Sequence, residues 1–159
     1  MAPQTTTLTP HGGSISAGGT ADVVPISANL LIGPDSAYHL LKVAYVALEI
    51  PVTEEDPSKR LIGNFVLKAR RRVAGLPMQQ VAYCGERMGV ANAETWDMQL
   101  DVRSYIVPDG KGGSQVWTKL QALGHDPATS SRDEMTCTTQ GNLEAKIGNF
   151  MKLALLRRK

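Results

Sequence analysis

Aromatic residues make up only 5% of this 159-residue chain. Its core must therefore come mainly from Leu, Val, Ile, Ala and Met, a modest core that oligomerisation can complete. The two cysteines, Cys84 and Cys137, match no metal-ligand spacing and no disulfide framework. The expectation is free thiols, in a reducing compartment or simply buried. No apolar run approaches the roughly 18 residues that span a bilayer. The start, Met1-Ala2-Pro3-Gln4-Thr5, lacks the basic and apolar regions of a secretory signal, and Met1-Ala2 is not a myristoylation start. These absences point to a soluble or peripheral protein in the cytoplasm.

Residues that carry catalysis are also scarce. His11, His39 and His125 have no ligand-spaced partners, so neither a metal nor a cofactor is expected. Gly110-Lys111-Gly112-Gly113 lacks the Lys-Ser/Thr helix start of a phosphate loop and reads as a turn. Asp97 and Asp101 fall on one face of a strand about 13 Å apart, too far for a catalytic carboxyl pair. A thiol enzyme centred on Cys84, with His39 or His125 as its base, stays open because such partners meet in space rather than in sequence.

What the chain does have is an uneven charge distribution. Net charge is +2, from 17 basic and 15 acidic residues. Residues 1 to 34 carry a single charge, Asp22, whereas residues 57 to 85 hold Lys59, Arg60, Lys68, Arg70, Arg71 and Arg72 with no acid. Residues 142 to 159 add Arg157, Arg158 and Lys159 at the end. The neutral Thr-, Gly- and Pro-rich segment 1 to 22 reads as an extended arm that cannot bury enough apolar surface alone. Residues 23 to 159 read as one structural domain. The expected fold is α+β, a short antiparallel sheet packed by several helices and preceded by the arm.

Along that domain, Val23 to Ile32 reads as an extended edge segment containing Pro25. Tyr38 to Ile50 is almost continuously apolar and leans towards a buried strand, with a helix capped at Asp35 or Ser36 as the alternative. Leu61, Ile62, Phe65, Val66, Ala69 and Val73 recur at helical spacing, which puts Arg70, Arg71 and Arg72 at a helix end. A short helix is expected over Met78 to Met88. Trp96 to Val107 alternates apolar and polar residues as a half-buried strand does. Ser114 is expected to cap a helix through Val116, Trp117, Leu120 and Leu123 that ends at Gly124. Leu143 to Leu156 follows as a last helix, with a strand through Phe150 to Leu156 as its alternative. Gly85 to Ala91, followed by Asn92 to Thr95, loosely matches the turn of a helix-turn-helix DNA reader, although acids at Glu94, Asp97 and Asp101 suit phosphate contact poorly.

Read in order, the elements comprise the polar arm, strand Tyr38 to Ile50, a helix near Leu61 and the segment Tyr83-Cys84-Gly85-Glu86-Arg87-Met88-Gly89. Strand Trp96 to Val107, a helix around Trp117 and the basic tail Phe150 to Lys159 complete the order. This arrangement resembles a rhabdovirus-type matrix protein, though it lacks a proline-tyrosine budding motif and its arm is less basic. The resemblance implies self-association, an extended segment of one subunit docking on the next, and bridging between nucleocapsid and membrane.

The leading expectation is therefore a non-enzymatic, self-assembling viral structural protein, matrix or coat, found in the virion and host cytoplasm. It would oligomerise through residues 1 to 22 and meet RNA, nucleoprotein or an anionic membrane through Lys59, Arg60, Lys68, Arg70, Arg71, Arg72, Arg157, Arg158 and Lys159. The alternatives are a small helix-turn-helix nucleic-acid regulator and the Cys84 enzyme.

Overall fold

A computed structural model describes residues 24 to 130 and 132 to 157. The arm over residues 1 to 22, Arg158 and Lys159 lie outside the described residues. The first described elements are strand β1 (Ile26–Leu30) and helix α1 (Pro34–Ala47). Strand β2 (Glu54–Asp56), strand β3 (Leu61–Arg70) and the short pair β4 (Arg72–Val73) and β5 (Leu76–Pro77) follow. Next come α2 (Met78–Val81), β6 (Ala82–Tyr83) and a hairpin of β7 (Glu86–Arg87) and β8 (Val90–Ala91). Two long strands, β9 (Asp97–Pro108) and β10 (Ser114–His125), lead to β11 (Met135–Thr139) and the final helix α3 (Asn142–Arg157).

The α+β expectation holds: one antiparallel sheet carries the order β5-β4-β3-β9-β10-β11-β6. β2 joins it beside β3, and β1 joins beside β10. Both long helices pack on one face of this sheet. Along β9, Met98, Leu100, Val102, Ser104 and Ile106 are buried under the helices, and the intervening residues face the opposite, open side. Burying each large aliphatic side chain contributes about 2 kcal/mol. The hydroxyls carried into this core are satisfied in a chain, with Tyr45 Oη 2.8 Å from Ser104 Oγ and Ser104 Oγ 2.8 Å from Thr118 Oγ1. Burial pushes the Tyr45 phenol well above its ordinary range.

The edge segment near Val23 to Ile32, the strand at Trp96 to Val107 and the last helix at Leu143 to Leu156 match observed elements. Four expectations need correction. Tyr38 to Ile50 is mostly helix, because Pro34 opens the first turn and Ala37, Leu41, Ala44 and Tyr45 form a buried stripe, while β-branched Val43 and Val46 lie outside. The helix ends in a Schellman-type turn, with Ile50 N donating to Tyr45 O and Glu49 left-handed at φ 60°.

Residues 61 to 70 form a strand rather than a helix. A bulge between Asn64 and Leu67 breaks the two-residue alternation, which makes its apolar positions recur at near-helical spacing. The backbone groups freed by the bulge are satisfied locally: Phe65 N donates to Glu54 Oε1 and Val66 N to Asn64 Oδ1. Ser114 to Gly124 is also strand, since its inward positions are Ser114, Val116, Thr118, Leu120, Ala122 and Gly124. Small and polar residues there, with Trp117 and Leu123 facing outward, hide the alternation. The helix expected over Met78 to Met88 shrinks to Met78–Val81.

Of the element order that carried the resemblance to matrix proteins, the strand at Tyr38 to Ile50 and the helices near Leu61 and Trp117 change type, while the strand at Trp96 to Val107 keeps it. For the helix-turn-helix alternative, α2 stops at Val81 and a three-residue 3-10 turn at Asn92–Glu94 is the one helical piece between it and β9 among the described residues. Glu86 to Ala91 is a hairpin turning at Met88 and Gly89, and the segment meant to enter the groove is largely strand β9.

Candidate cationic site at the end of the sheet

The strand geometry splits the basic segment. β3 is ten residues long, so Lys59 and Arg60 at its start stand about 30 Å from Arg70 at its end. Arg60, left-handed at φ 49°, is held by Asp35, with Nε 2.9 Å from Oδ1. Arg157 lies at the far end of α3.

Lys68, Arg70, Arg71 and Arg72 do come together, at the reversal from β3 into β4. Register places Lys68 opposite Gln99 and Arg70 opposite Asp97, both pairs on the open face. Arg70 Nε lies 3.7 Å from Asp97 Oδ1, a loose and exposed ion pair of small energetic weight. Arg71 occupies the reversal itself at φ 69°, and its carbonyl accepts a 2.7 Å hydrogen bond from Met78 N. Arg72 Nη2 donates to Gly75 O at 2.7 Å. Among the described residues no salt bridge joins Lys68, Arg71 or Arg72 to an acid. Beside them an open groove of about 490 Å³ is lined by Lys68, Arg70, Asp97, Gln99, His125 and Glu134.

The open face continues from this groove as a layer of aromatics and charge. Trp117 pairs across the sheet with Tyr105. Arg103 lies 3.7 Å over the Phe65 ring and grips Asp101 through two bonds of 2.8 and 2.9 Å. That carboxylate raises the Arg103 pKa further. Sequence reading missed this layer because it placed Trp117 and Phe65 on helices. Asp97 and Asp101 do share the wet face of one strand, each engaged by an arginine.

Cys84 is bonded to Cys137, with sulfurs 2.01 Å apart, which corrects the expectation of free thiols. Both are buried. The strands are cut to fit the cross-link: a Cβ on Gly124 would come within 3.1 Å of Cys137 Sγ, 3.3 Å of Cys84 Sγ and 2.8 Å of Trp96. In this state Cys84 presents no thiolate, so the thiol-enzyme reading lacks its nucleophile. Among the described residues no group of His, Cys, Asp and Glu is placed to hold a metal ion, and no helix is long and apolar enough to cross a membrane.

Comparison with protein-family models, with curated proteins and with solved structures found no match to the chain.

Proposed function

We propose that the protein is a non-catalytic, self-assembling structural protein, a viral matrix or coat subunit, that meets an anionic partner through the cationic end of its sheet. The observation that carries this reading is the gathering of Lys68, Arg70, Arg71 and Arg72 at one strand reversal, where a single loose contact to Asp97 is the ion pairing present among the described residues. Lys68, Arg71 and Arg72, which no salt bridge joins to an acid among the described residues, suit the phosphates of RNA, of nucleoprotein-bound RNA or of anionic lipid. Arg157 belongs to a separate surface, and Lys59 and Arg60 to the opposite end of the sheet. The buried disulfide fits the oxidising surroundings of a released particle better than the cytosol.

Replacing Lys68, Arg71 and Arg72 together with Ala tests the reading by titration with single-stranded RNA and with anionic vesicles at several salt concentrations. The salt slope is expected to fall by about two for single-stranded RNA, roughly 0.7 per lost phosphate contact. An unchanged slope with both partners removes the role.

A further inference from the structure

We infer that the outer edge of β1 is the self-assembly surface, and that its partner is β1 of a second copy, paired antiparallel about a two-fold axis. This rests on the self-assembly reading above and names the surface that serves it.

A sheet edge is a row of backbone donors and acceptors ready to extend onto another chain, and proteins block edges they do not use. Three of the sheet's margins are blocked. β2 reads Glu54-Glu55-Asp56, wholly acidic. β5 reads Leu76-Pro77, and its proline has no N–H to offer. β6 is two residues long and runs directly into the disulfide at Cys84.

Within Ile26–Leu30 β1 carries no such device, the nearest proline, Pro25, lying before the strand. Ile26-Ser27-Ala28-Asn29-Leu30 is five uncharged residues. It pairs with β10 on one side, and on the other no strand of the described residues meets it. Val24 just before it is 77% exposed and Leu31 just after it is 95% exposed. The seam behind the strand is also incomplete. A crevice of about 60 Å³ opens between β1 and α3, bordered by Ser27, Ala28, Glu144 and Lys152. Within it the buried Glu144 Oε1 has no hydrogen-bond partner.

The strand is complementary to itself. Antiparallel pairing centred on Ala28 sets Ser27 against Asn29 of the other copy and Ile26 against its Leu30. The Ile26–Leu30 pairs are apolar and close both ends of the five-residue ladder. Two polar, exposed positions face each other at the centre. One such pairing of two sheet edges makes one continuous sheet, an isologous contact that closes on itself.

The test is the molecular mass of the full chain by sedimentation equilibrium. It compares wild type, the double variant Ser27→Lys with Asn29→Lys, the double variant Ser27→Glu with Asn29→Glu, and an equal mixture of the two variants. Wild type is expected to associate. Each variant sets like charges directly opposite one another, so its dissociation constant should rise at least tenfold, and the mixture should recover association. A wild-type chain that stays monomeric overturns this inference and the assembly reading together. Wild-type association that neither variant weakens overturns the β1 surface alone. Variants that dissociate but show no recovery on mixing also overturn it, because loss without rescue reports damage to the fold rather than a paired strand.

Discussion

The two strands β1 and β2 occupy opposite margins of the same sheet and carry opposite chemistry. β2 has three acids in three residues, each also engaged inside the subunit: Glu54 accepts from Phe65 N, Glu55 pairs with Lys42 and Tyr38, and Asp56 accepts from Ser58. β1 has no charge in five residues, and no strand of the described residues meets its outer side. Identical backbone groups therefore meet a repulsive margin in one place and an inviting one in the other. The difference teaches that assembly of a β protein is decided by side chains that guard strands as much as by those that pack the core.

The comparison can be broken most severely at the third margin, where the disulfide ties β6 to β11. The Cys84–Cys137 bond closes a loop of 53 residues, so replacing both cysteines with Ala is expected to cost about 4 kcal/mol. Chemical denaturation measures this, and equal midpoints for variant and wild type would show that the cross-link contributes nothing. In the variant β11 loses its tether, and non-specific association should appear beside the specific β1 contact.

The guarded margin offers a gentler test. Glu54→Gln, Glu55→Gln and Asp56→Asn together keep one acceptor oxygen on each side chain, the number each uses inside the subunit, and remove the charge. Monomer stability should change little, because the Lys42–Glu55 pair is substantially exposed. Light scattering should nevertheless show species larger than those of wild type, with two open margins where there was one. Unchanged size would mean that the acids of β2 are not what keeps that edge apart.

The smallest effect concerns Glu144, beside β1. Desolvation raises its pKa above the ordinary carboxylate value of 4.5. Below that value the folded and unfolded chains both hold the proton, and its contribution to stability is intact. As pH rises, the unfolded chain releases the proton first, and the contribution is lost until the folded pKa is passed. Glu144→Gln removes that loss, so the variant should be more stable than wild type at pH 7 by a margin that vanishes at pH 3. Thermal unfolding at both pH values checks the sign, and an equal difference at the two would sink it.

How much of this was legible beforehand follows from where local pattern and tertiary packing agree. β9 was readable because every inward residue from Met98 to Ile106 is large or hydroxylic and every outward one from Asp97 to Tyr105 is polar, with Trp96 and Pro108 bracketing it. α3 was readable because Leu143, Ile147 and Met151 form one buried stripe. β3 was not, because its bulge shifts the inward set from Ile62 and Asn64 to Leu67 and Ala69, and the apolar residues between imitate a helical period. β10 was not, because Gly124 sits inward to make room for a disulfide that two cysteines 53 residues apart do not announce. For the candidate site, charge counting found Lys68, Arg70, Arg71 and Arg72 but also gathered Lys59 and Arg60, which a strand carries to its other end. The β1 edge left a trace in the sequence, an uncharged segment containing Pro25, yet only the sheet order reveals that it is a margin without a guard.

Hydrogen exchange of the backbone amides of Ile26–Leu30 in the full chain, followed across a range of protein concentration, tests the β1 surface most directly. The outward-facing amides of β1 should exchange more slowly as concentration rises, while the amides of β9 keep one rate throughout. Exchange in β1 that is the same at every concentration would contradict pairing between copies.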